Sequence, residues 1–193
     1  MLSSGNSKVG NLLNFSIPAY ETCPGHTGWC ETHCYARKGR FVFANVKTAH
    51  RMNAITSSSD KFVYDMLCEL DRHPKAKYVR IHVSGDFYDV DYTERWRRII
   101  AARPDIKFYA LTRSWRISEL KTKLEELRAL PNCVIRASTD EQTGPPPEGW
   151  LEGGIEKTYT EGGILCPYFD KGIQCDKCLL CYKGTKAIYF KEH

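Results

Sequence analysis

The sequence predicts an α/β fold with mostly parallel strands. Segments of β-type alternation and segments of helical periodicity follow one another through the middle of the chain, with turn residues between them. The chain of 193 residues, 42% of them hydrophobic, is long enough to bury the core of one domain. We therefore expect a single domain over 1–193, with a βα core at 11–141 and a Cys-rich C-terminal extension at 142–193.

Each element of the predicted core has its own signal. The pattern predicts strands at 11–17, 78–84, 106–112 and 133–139. It predicts helices at about 44–55, at 91–103 and at 117–130. A further helix is predicted to begin after Asp60, whose side chain would cap it. Three consecutive prolines in 143–150 interrupt this alternation, because proline fits neither a strand ladder nor a helix interior. The remaining strands of a longer sheet would have to come from Trp150 onward.

Cysteine usage indicates metal binding rather than disulfides. The chain has nine cysteines, an odd number, and its start lacks the pattern of a secretory leader. No apolar run approaches the length of a membrane span. We expect a cytoplasmic protein without membrane contact, and reducing compartments keep clustered cysteines free to bind metals.

The C-terminal cysteines form a compact set. Cys175, Cys178 and Cys181 have C-x2-C-x2-C spacing, and Cys166 lies a little upstream. Four thiolates close a tetrahedral site and leave no position for a substrate. The short spacers favour an iron–sulfur cluster over zinc, because zinc sites usually use two separated pairs of ligands.

The N-terminal cysteines lie in "ETCPGHTGWCETHCYARKGR" (21–40), directly after the first predicted strand. In parallel α/β folds ligands bind at this carboxyl edge. Cys23, Cys30 and Cys34 can hold three irons of a [4Fe–4S] cluster and leave the fourth iron open. The alternatives are a zinc site completed by a histidine and a role without metal. The histidines available to the zinc site are His26 and His33.

Other residues have weaker signals. If Val79, Ile81 and Val83 pack on helices, Arg80 and His82 point to the opposite face of the sheet beside Ser84, and Arg136 can join them there. Two buried arginines imply an anionic ligand or carboxylate partners. The candidate partners are the strand-end residues Asp86 and Asp140. The two remaining cysteines, Cys68 and Cys133, are expected to be small buried hydrophobic residues.

The order of these features resembles that of short radical S-adenosylmethionine (SAM) proteins. The three-cysteine loop follows the first strand with "CYA" (34–36) at its last cysteine, although its spacing is C-x6-C-x3-C rather than the common C-x3-C-x2-C. Polar motifs "SGDF" (84–87), "LTRS" (111–114) and "RASTDE" (136–141) follow the next three strands. The same features resemble a family of uncharacterised phage-encoded proteins, which would place the chain in a host cytoplasm.

The radical-SAM resemblance implies a partial (βα) barrel, a [4Fe–4S] cluster and SAM. Ser84, Gly85 and Asp86 would border the SAM amino group, and Arg80 or Arg136 would meet its carboxylate. A ferredoxin or flavodoxin would be the reductant. The substrate of such an enzyme is not indicated, and other iron–sulfur chemistry without SAM stays open.

A different class of function is also consistent with the sequence. The chain has a net charge of +5, with 28 Lys and Arg against 23 Asp and Glu. A zinc-stabilised module could bind nucleic acid or protein without catalysis, through surface cations and the aromatic residues Trp29, Tyr35 and Phe41. Iron content, sulfide content and colour separate this alternative from an iron–sulfur protein.

Overall fold

A computed structural model of the chain describes residues 1–192. Its strands are β1 Leu13–Phe15, β2 Tyr78–Ile81, β3 Lys107–Thr112, β4 Cys133–Ser138, β5 Leu151–Ile155, β6 Ile164–Leu165 and β7 Ile188–Phe190. Its α-helices are α1 Gly28–His33, α2 Ala44–Ser57, α3 Phe62–Asp71, α4 Val90–Ala102, α5 Ser118–Arg128, α6 Pro167–Lys171, α7 Cys175–Cys178 and α8 Leu180–Lys183.

The strands form one parallel sheet in the order β1-β2-β3-β4-β5-β7-β6. Each pair of neighbours is parallel, and the register places Phe15 beside Ile81 and Ile81 beside Ala110. The first five strands therefore follow the chain order, and helices provide the crossovers that parallel pairing requires. The predicted α/β class with parallel strands is confirmed.

Helices α3, α4 and α5 cover one face of the sheet. Val79, Ile81 and Ala110 on that face are fully buried and belong to the same core cluster as residues of the three helices. Trp96 of α4 lies at the centre, with its ring centroid 5.4 Å from that of Phe15 in an edge-on arrangement. The period-two alternation of β2 thus places Arg80 on the other face.

The other face of the sheet is covered by the C-terminal segment. Tyr182 of α8 is buried, and its ring packs edge-on against Tyr78 at 5.1 Å and Tyr109 at 5.5 Å. The segment after Trp150 also supplies strands β5, β6 and β7. This agrees with the expectation that the last strands of the sheet come from this part of the chain. The extension is therefore part of the sheet and of its packing.

Most predicted elements are confirmed within a few residues, but the start of α3 differs from the prediction. Asp60 does not cap this helix, because Lys61 occupies the cap position. The Asp60 carboxylate is fully exposed and lies 3.6 Å from Arg95. The amide of Phe62 instead donates to the carbonyl of Ser59, so a backbone turn starts the helix.

Candidate functional site

The three cysteines after β1 line one cavity. Cys23, Cys30 and Cys34 border a space of about 460 Å³, together with residues from the carboxyl ends of the strands. Cys30 lies in α1 and Cys34 directly follows this helix, so the two are one helical turn apart. Burial raises the pKa of the Cys23 and Cys34 thiols, which favours their protonated forms.

A buried ion pair fixes this loop to the ends of β3 and β4. Arg113 Nη2 lies 2.9 Å from Asp140 Oδ2, and Asp140 also accepts a 2.8 Å hydrogen bond from Thr27 Oγ1. Arg113 Nη1 donates to Cys30 Sγ. Gly25 lies so close to the Arg113 carbonyl that a Cβ there would collide with it. The position of Cys30 is therefore set by groups outside its own loop.

The segment 84–86 borders the same cavity, as expected for residues that follow β2. Gly85 has a φ of +82°, and a Cβ at this position would collide with the side chain of Ile17. Ser84 Oγ donates to the Ile17 carbonyl at 2.9 Å. The tight turn after β2 thus needs glycine and places its backbone at the cavity wall.

Asp86 is buried and already bonded within the protein. Its carboxylate accepts hydrogen bonds from Thr112 Oγ1 at 2.5 Å and from the amides of Phe87 and Arg113 at 2.8 Å. Burial raises its pKa although these bonds oppose the rise. Asp86 therefore serves as a structural link between the ends of β2 and β3, at the edge of the cavity.

Arg80 lies between the two groups of cysteines. It borders the 460 Å³ cavity and also a second cavity that contains the C-terminal cysteines. Its guanidinium carbon is 5.8 Å from the centroid of the Tyr109 ring, and its buried Nε has no hydrogen-bond partner. The predicted carboxylate partners, Asp86 and Asp140, are bonded elsewhere, and Asp140 pairs with Arg113 instead. Arg80 is thus a cation without a carboxylate partner in the part of the chain described.

Arg136 is on the same face of the sheet as Arg80 but does not line the large cavity. Its side chain is fully buried, and Nη1 donates to the carbonyls of Glu152 at 3.2 Å and Lys186 at 2.6 Å. Main-chain carbonyls therefore replace the carboxylate partner that we expected. The structure brings Arg80, but not Arg136, together with Ser84, Gly85 and Asp86.

The four C-terminal cysteines line the second cavity, which is smaller. Cys166 precedes α6, Cys175 and Cys178 are the ends of α7, and Cys181 lies in α8. The other walls are mostly apolar, and burial raises the pKa of Cys175 to about 11. Leu179 between α7 and α8 has a φ of +53°, so the chain turns sharply there. The turn keeps Cys178 and Cys181 on the same small cavity.

The remaining cysteines differ in burial. Cys133 belongs to the hydrophobic core, as expected, whereas Cys68 on α3 is only half-buried. The two histidines considered for zinc both border the large cavity. His26 Nδ1 is 2.7 Å from the Cys23 carbonyl oxygen, and the His33 ring stacks on Trp29 with centroids 4.6 Å apart.

Residues 1–192 lack two features. They include no group of three or more His, Cys, Asp or Glu side chains that could hold a metal ion. No helix in this range is long and apolar enough to cross a membrane.

At the large cavity, sequence reasoning missed Arg113 and predicted the wrong direction for the His82 side chain. Arg113, which binds both Asp140 and Cys30, directly follows β3 within the motif 111–114, so its position was a usable signal. His82 is buried with a φ of +62°, and its Nε2 is 2.7 Å from Tyr92 Oη. Burial and the nearby Arg80 charge lower its pKa to about 3, so it is neutral at neutral pH. Strand alternation predicts His82 on the same face as Arg80, but the left-handed backbone after β2 turns its imidazole toward Tyr92 of α4, and this turn has no sequence signal.

Comparison with known proteins identifies the family. The model of the family Gene product 88 matches residues 2–160. The chain belongs to this family. The match includes the N-terminal cysteine loop and ends before Cys166.

Two mycobacteriophage proteins are similar to this chain. The Gene 88 protein of Mycobacterium phage L5 is 31% identical in an alignment of 122 residues that covers 56% of this chain and 51% of that protein. The Gene 88 protein of Mycobacterium phage D29 is 30% identical in an alignment of 122 residues that covers 56% of this chain and 50% of that protein. The chain spans about half the length of these curated relatives. No solved structure matches it. The predicted resemblance to phage-encoded proteins is confirmed.

Proposed function

We propose that the chain is an iron–sulfur protein with an open [4Fe–4S] cluster at Cys23, Cys30 and Cys34. The observation that carries this proposal is that these three thiols border a cavity of about 460 Å³, within the size range of small-molecule sites. Three thiolates hold three irons and leave the fourth to a ligand in the cavity. Each thiolate of a cluster binds a different iron, so the sulfurs surround a group of atoms instead of converging on one ion.

A second, closed cluster is proposed at Cys166, Cys175, Cys178 and Cys181. These four thiols border their own cavity, whose other walls are mostly apolar. Four thiolates occupy every iron, so this cluster would serve structure or electron transfer. The separation of the seven cysteines into two cavities supports two clusters over one shared cluster.

The finer proposal is a radical-SAM-like enzyme on a partial (βα) barrel, with an unidentified substrate. The first five strands follow the chain order, and 84–86 borders the cavity where such enzymes meet the SAM amino group. Arg80 is better placed than Arg136 for the SAM carboxylate, because Arg136 is bonded to main-chain carbonyls. When bound and reduced, the cluster would supply the electron for cleavage of SAM. Arg80 and the backbone of 84–86 would bind and orient SAM at the cavity wall.

The partners of this proposal follow from the relatives and the chemistry. Mycobacteriophage proteins are made in the host cytoplasm, so we place the chain there. A host ferredoxin or flavodoxin would supply the electron. Its docking site would lie near the C-terminal cluster if that cluster relays the electron.

Anaerobic purification tests the proposal directly. We expect brown protein with equal amounts of iron and sulfide, and Cys34→Ala should lose about half of both. Reduced protein should form 5′-deoxyadenosine from SAM, and Cys34→Ala should abolish this. Colourless protein with stoichiometric zinc would instead support a zinc-stabilised module that binds nucleic acid or protein. Brown protein that neither binds nor cleaves SAM would remove the finer proposal and keep the iron–sulfur assignment.

A further inference from the structure

The positive charge of the chain is concentrated in residues 35–59. This segment contains five of the 28 Lys and Arg and none of the 23 Asp and Glu. The other residues therefore carry 23 basic and 23 acidic side chains, which cancel. The net charge of +5 thus comes from one continuous segment, which forms α2 and the turns before it.

The cations of this segment are free of carboxylates. Its exposed cations are Arg37, Lys38, Arg40, Lys47 and Arg51. None forms an ion pair with another residue of 1–192, and Arg37 donates only to the Glu31 carbonyl. On α4 and α5 several cations are paired with carboxylates of the same helix, as Arg97 is with Glu94 at 2.7 Å. The segment therefore presents uncompensated charge to an anionic partner.

Large apolar side chains are exposed among these cations. Phe43 is 56% exposed and Ile55 is 64% exposed. Lys47, Arg51 and Ile55 follow one another at intervals of four, so basic and apolar side chains share one stripe of α2. A helix that lies on a membrane separates these two kinds of side chain onto opposite faces. The mixture on α2 suits a partner that offers phosphates and flat apolar surfaces side by side.

We propose that residues 35–59 form a binding surface for single-stranded nucleic acid. Backbone phosphates would pair with the free cations, and unstacked bases would pack on the exposed ring of Phe43. The surface continues into the large cavity, because Tyr35, Ala36 and Phe41 also border it. A bound strand would therefore pass the mouth of the cavity and present a nucleotide to it. A duplex would not offer its bases in this way.

This inference goes beyond the proposed function, since the cations replaced in its test, Arg40, Lys47 and Arg51, form no hydrogen bond with a cysteine in the described chain. Fluorescence anisotropy of full-length protein with labelled oligothymidylate and oligouridylate of about 15 nucleotides tests it. The triple variant Arg40→Ala, Lys47→Ala and Arg51→Ala should weaken binding about tenfold or more. Its slope of log affinity against log salt should become shallower by about 2, because each phosphate contact contributes about 0.7.

A matched triple variant controls for net charge. Lys75, Lys77 and Lys107 are exposed, form no ion pair within the described chain, and lie near the amino ends of β2 and β3. Their replacement by alanine should leave affinity and salt slope unchanged. Phe43→Leu keeps the apolar bulk and removes the ring, so it should weaken binding by about fivefold or more through lost stacking.

Several results would overturn the inference. The first is that neither oligonucleotide binds at low salt. The second is that the two triple variants lose equal affinity for the oligonucleotides. The third is tighter binding to anionic phosphatidylserine vesicles than to the oligonucleotides. Circular dichroism of each variant must show native helix content, and a variant that fails this check is replaced by its Lys→Gln and Arg→Gln counterpart. Oligonucleotide binding by colourless protein would support this surface while it contradicts the iron–sulfur proposal.

Discussion

The two cysteine sets differ in what holds them in place. The N-terminal loop is fixed by hydrogen bonds and an ion pair to strand ends, and it borders a cavity of about 460 Å³. The C-terminal set lies directly before α6 and on α7 and α8, helices of only four or five residues each, around a small apolar cavity. The first arrangement is held by a buried ion pair. The second is held to residues 7–11 by hydrogen bonds, such as those from the Cys175 amide to the Lys8 carbonyl at 2.9 Å and from Gln174 Nε2 to the Ser7 carbonyl at 2.9 Å, and it has no buried ion pair to another residue of 1–192.

Because of this difference, we expect metal to affect folding at one cysteine set and ligand binding at the other. Helices of one turn are not stable on their own, so α7 and α8 need packing or a metal to order them. Tyr182 supplies packing between Tyr78 and Tyr109, and the Cys175 amide donates to the Lys8 carbonyl at 2.9 Å, but the Cys178 amide bonds only to Gln174 within its own turn. Metal-binding free energy at the C-terminal set should therefore contribute to folding, whereas at the N-terminal set it should contribute mainly to ligand binding.

The largest expected effect tests this contrast directly. Cys178→Ala should lower the thermal midpoint of metal-loaded protein by about 10 °C, because the lost metal-binding free energy is also folding free energy. Cys30→Ala is the matched replacement, since both cysteines are half-buried. It should lose iron with a much smaller shift of the midpoint. Equal shifts would contradict the comparison, and unchanged iron in both variants would contradict the assignment of ligands.

A second test concerns the contacts that hold the N-terminal loop. Arg113→Gln leaves the fully buried Asp140 side chain without its ion-pair partner, so it should lower the unfolding free energy by about 3 kcal/mol. Arg116→Gln is the control, because exposed Arg116 donates only to the carbonyls of Gly25 and His26. It should cost less than about 1 kcal/mol. Urea unfolding of both variants, prepared without metal, measures the difference.

Similar losses from Arg113→Gln and Arg116→Gln would mean that Asp140 is satisfied by its remaining donors. Those donors are Thr27 Oγ1 at 2.8 Å and the amides of Gln142 and Thr143. The loop would then depend on hydrogen bonds alone. The contrast between the two cysteine sets would become smaller.

The parts that sequence predicted are those set by local periodicity. Alternation in β2 and helical stripes in α5 fix which face of each element is buried, so the parallel order and the inward direction of Arg80 could be predicted. Alternation does not fix how far a residue lies from the cavity along and across the sheet. Arg136 was therefore expected at a cavity that its side chain does not line. The partners of Asp86 and Asp140 depend on how loops cross the sheet edge, and no local pattern encodes that.

The smallest expected effect is a pH dependence that belongs to the N-terminal cavity. His82 is 3% exposed, its Nε2 faces Tyr92 Oη, and burial with the Arg80 charge lowers its pKa to about 3. The unfolded chain takes up a proton at this residue near its ordinary pKa of about 6.5, whereas the folded chain does not. Stability is therefore complete above pH 6.5 and falls as the pH decreases, by about 1.4 kcal/mol per unit until the folded pKa is reached.

His82→Asn isolates that dependence. Asparagine tolerates the left-handed backbone at φ +62° and still offers a hydrogen-bond partner to Tyr92, but it does not titrate. Urea unfolding of metal-free wild type and variant between pH 7.5 and about 5 should show a steeper loss for wild type, by about 2 kcal/mol over the range. The same slope in both proteins would mean that His82 is protonated in the fold. The N-terminal cavity would then already contain a second cation beside Arg80, and the site would favour a more negative ligand.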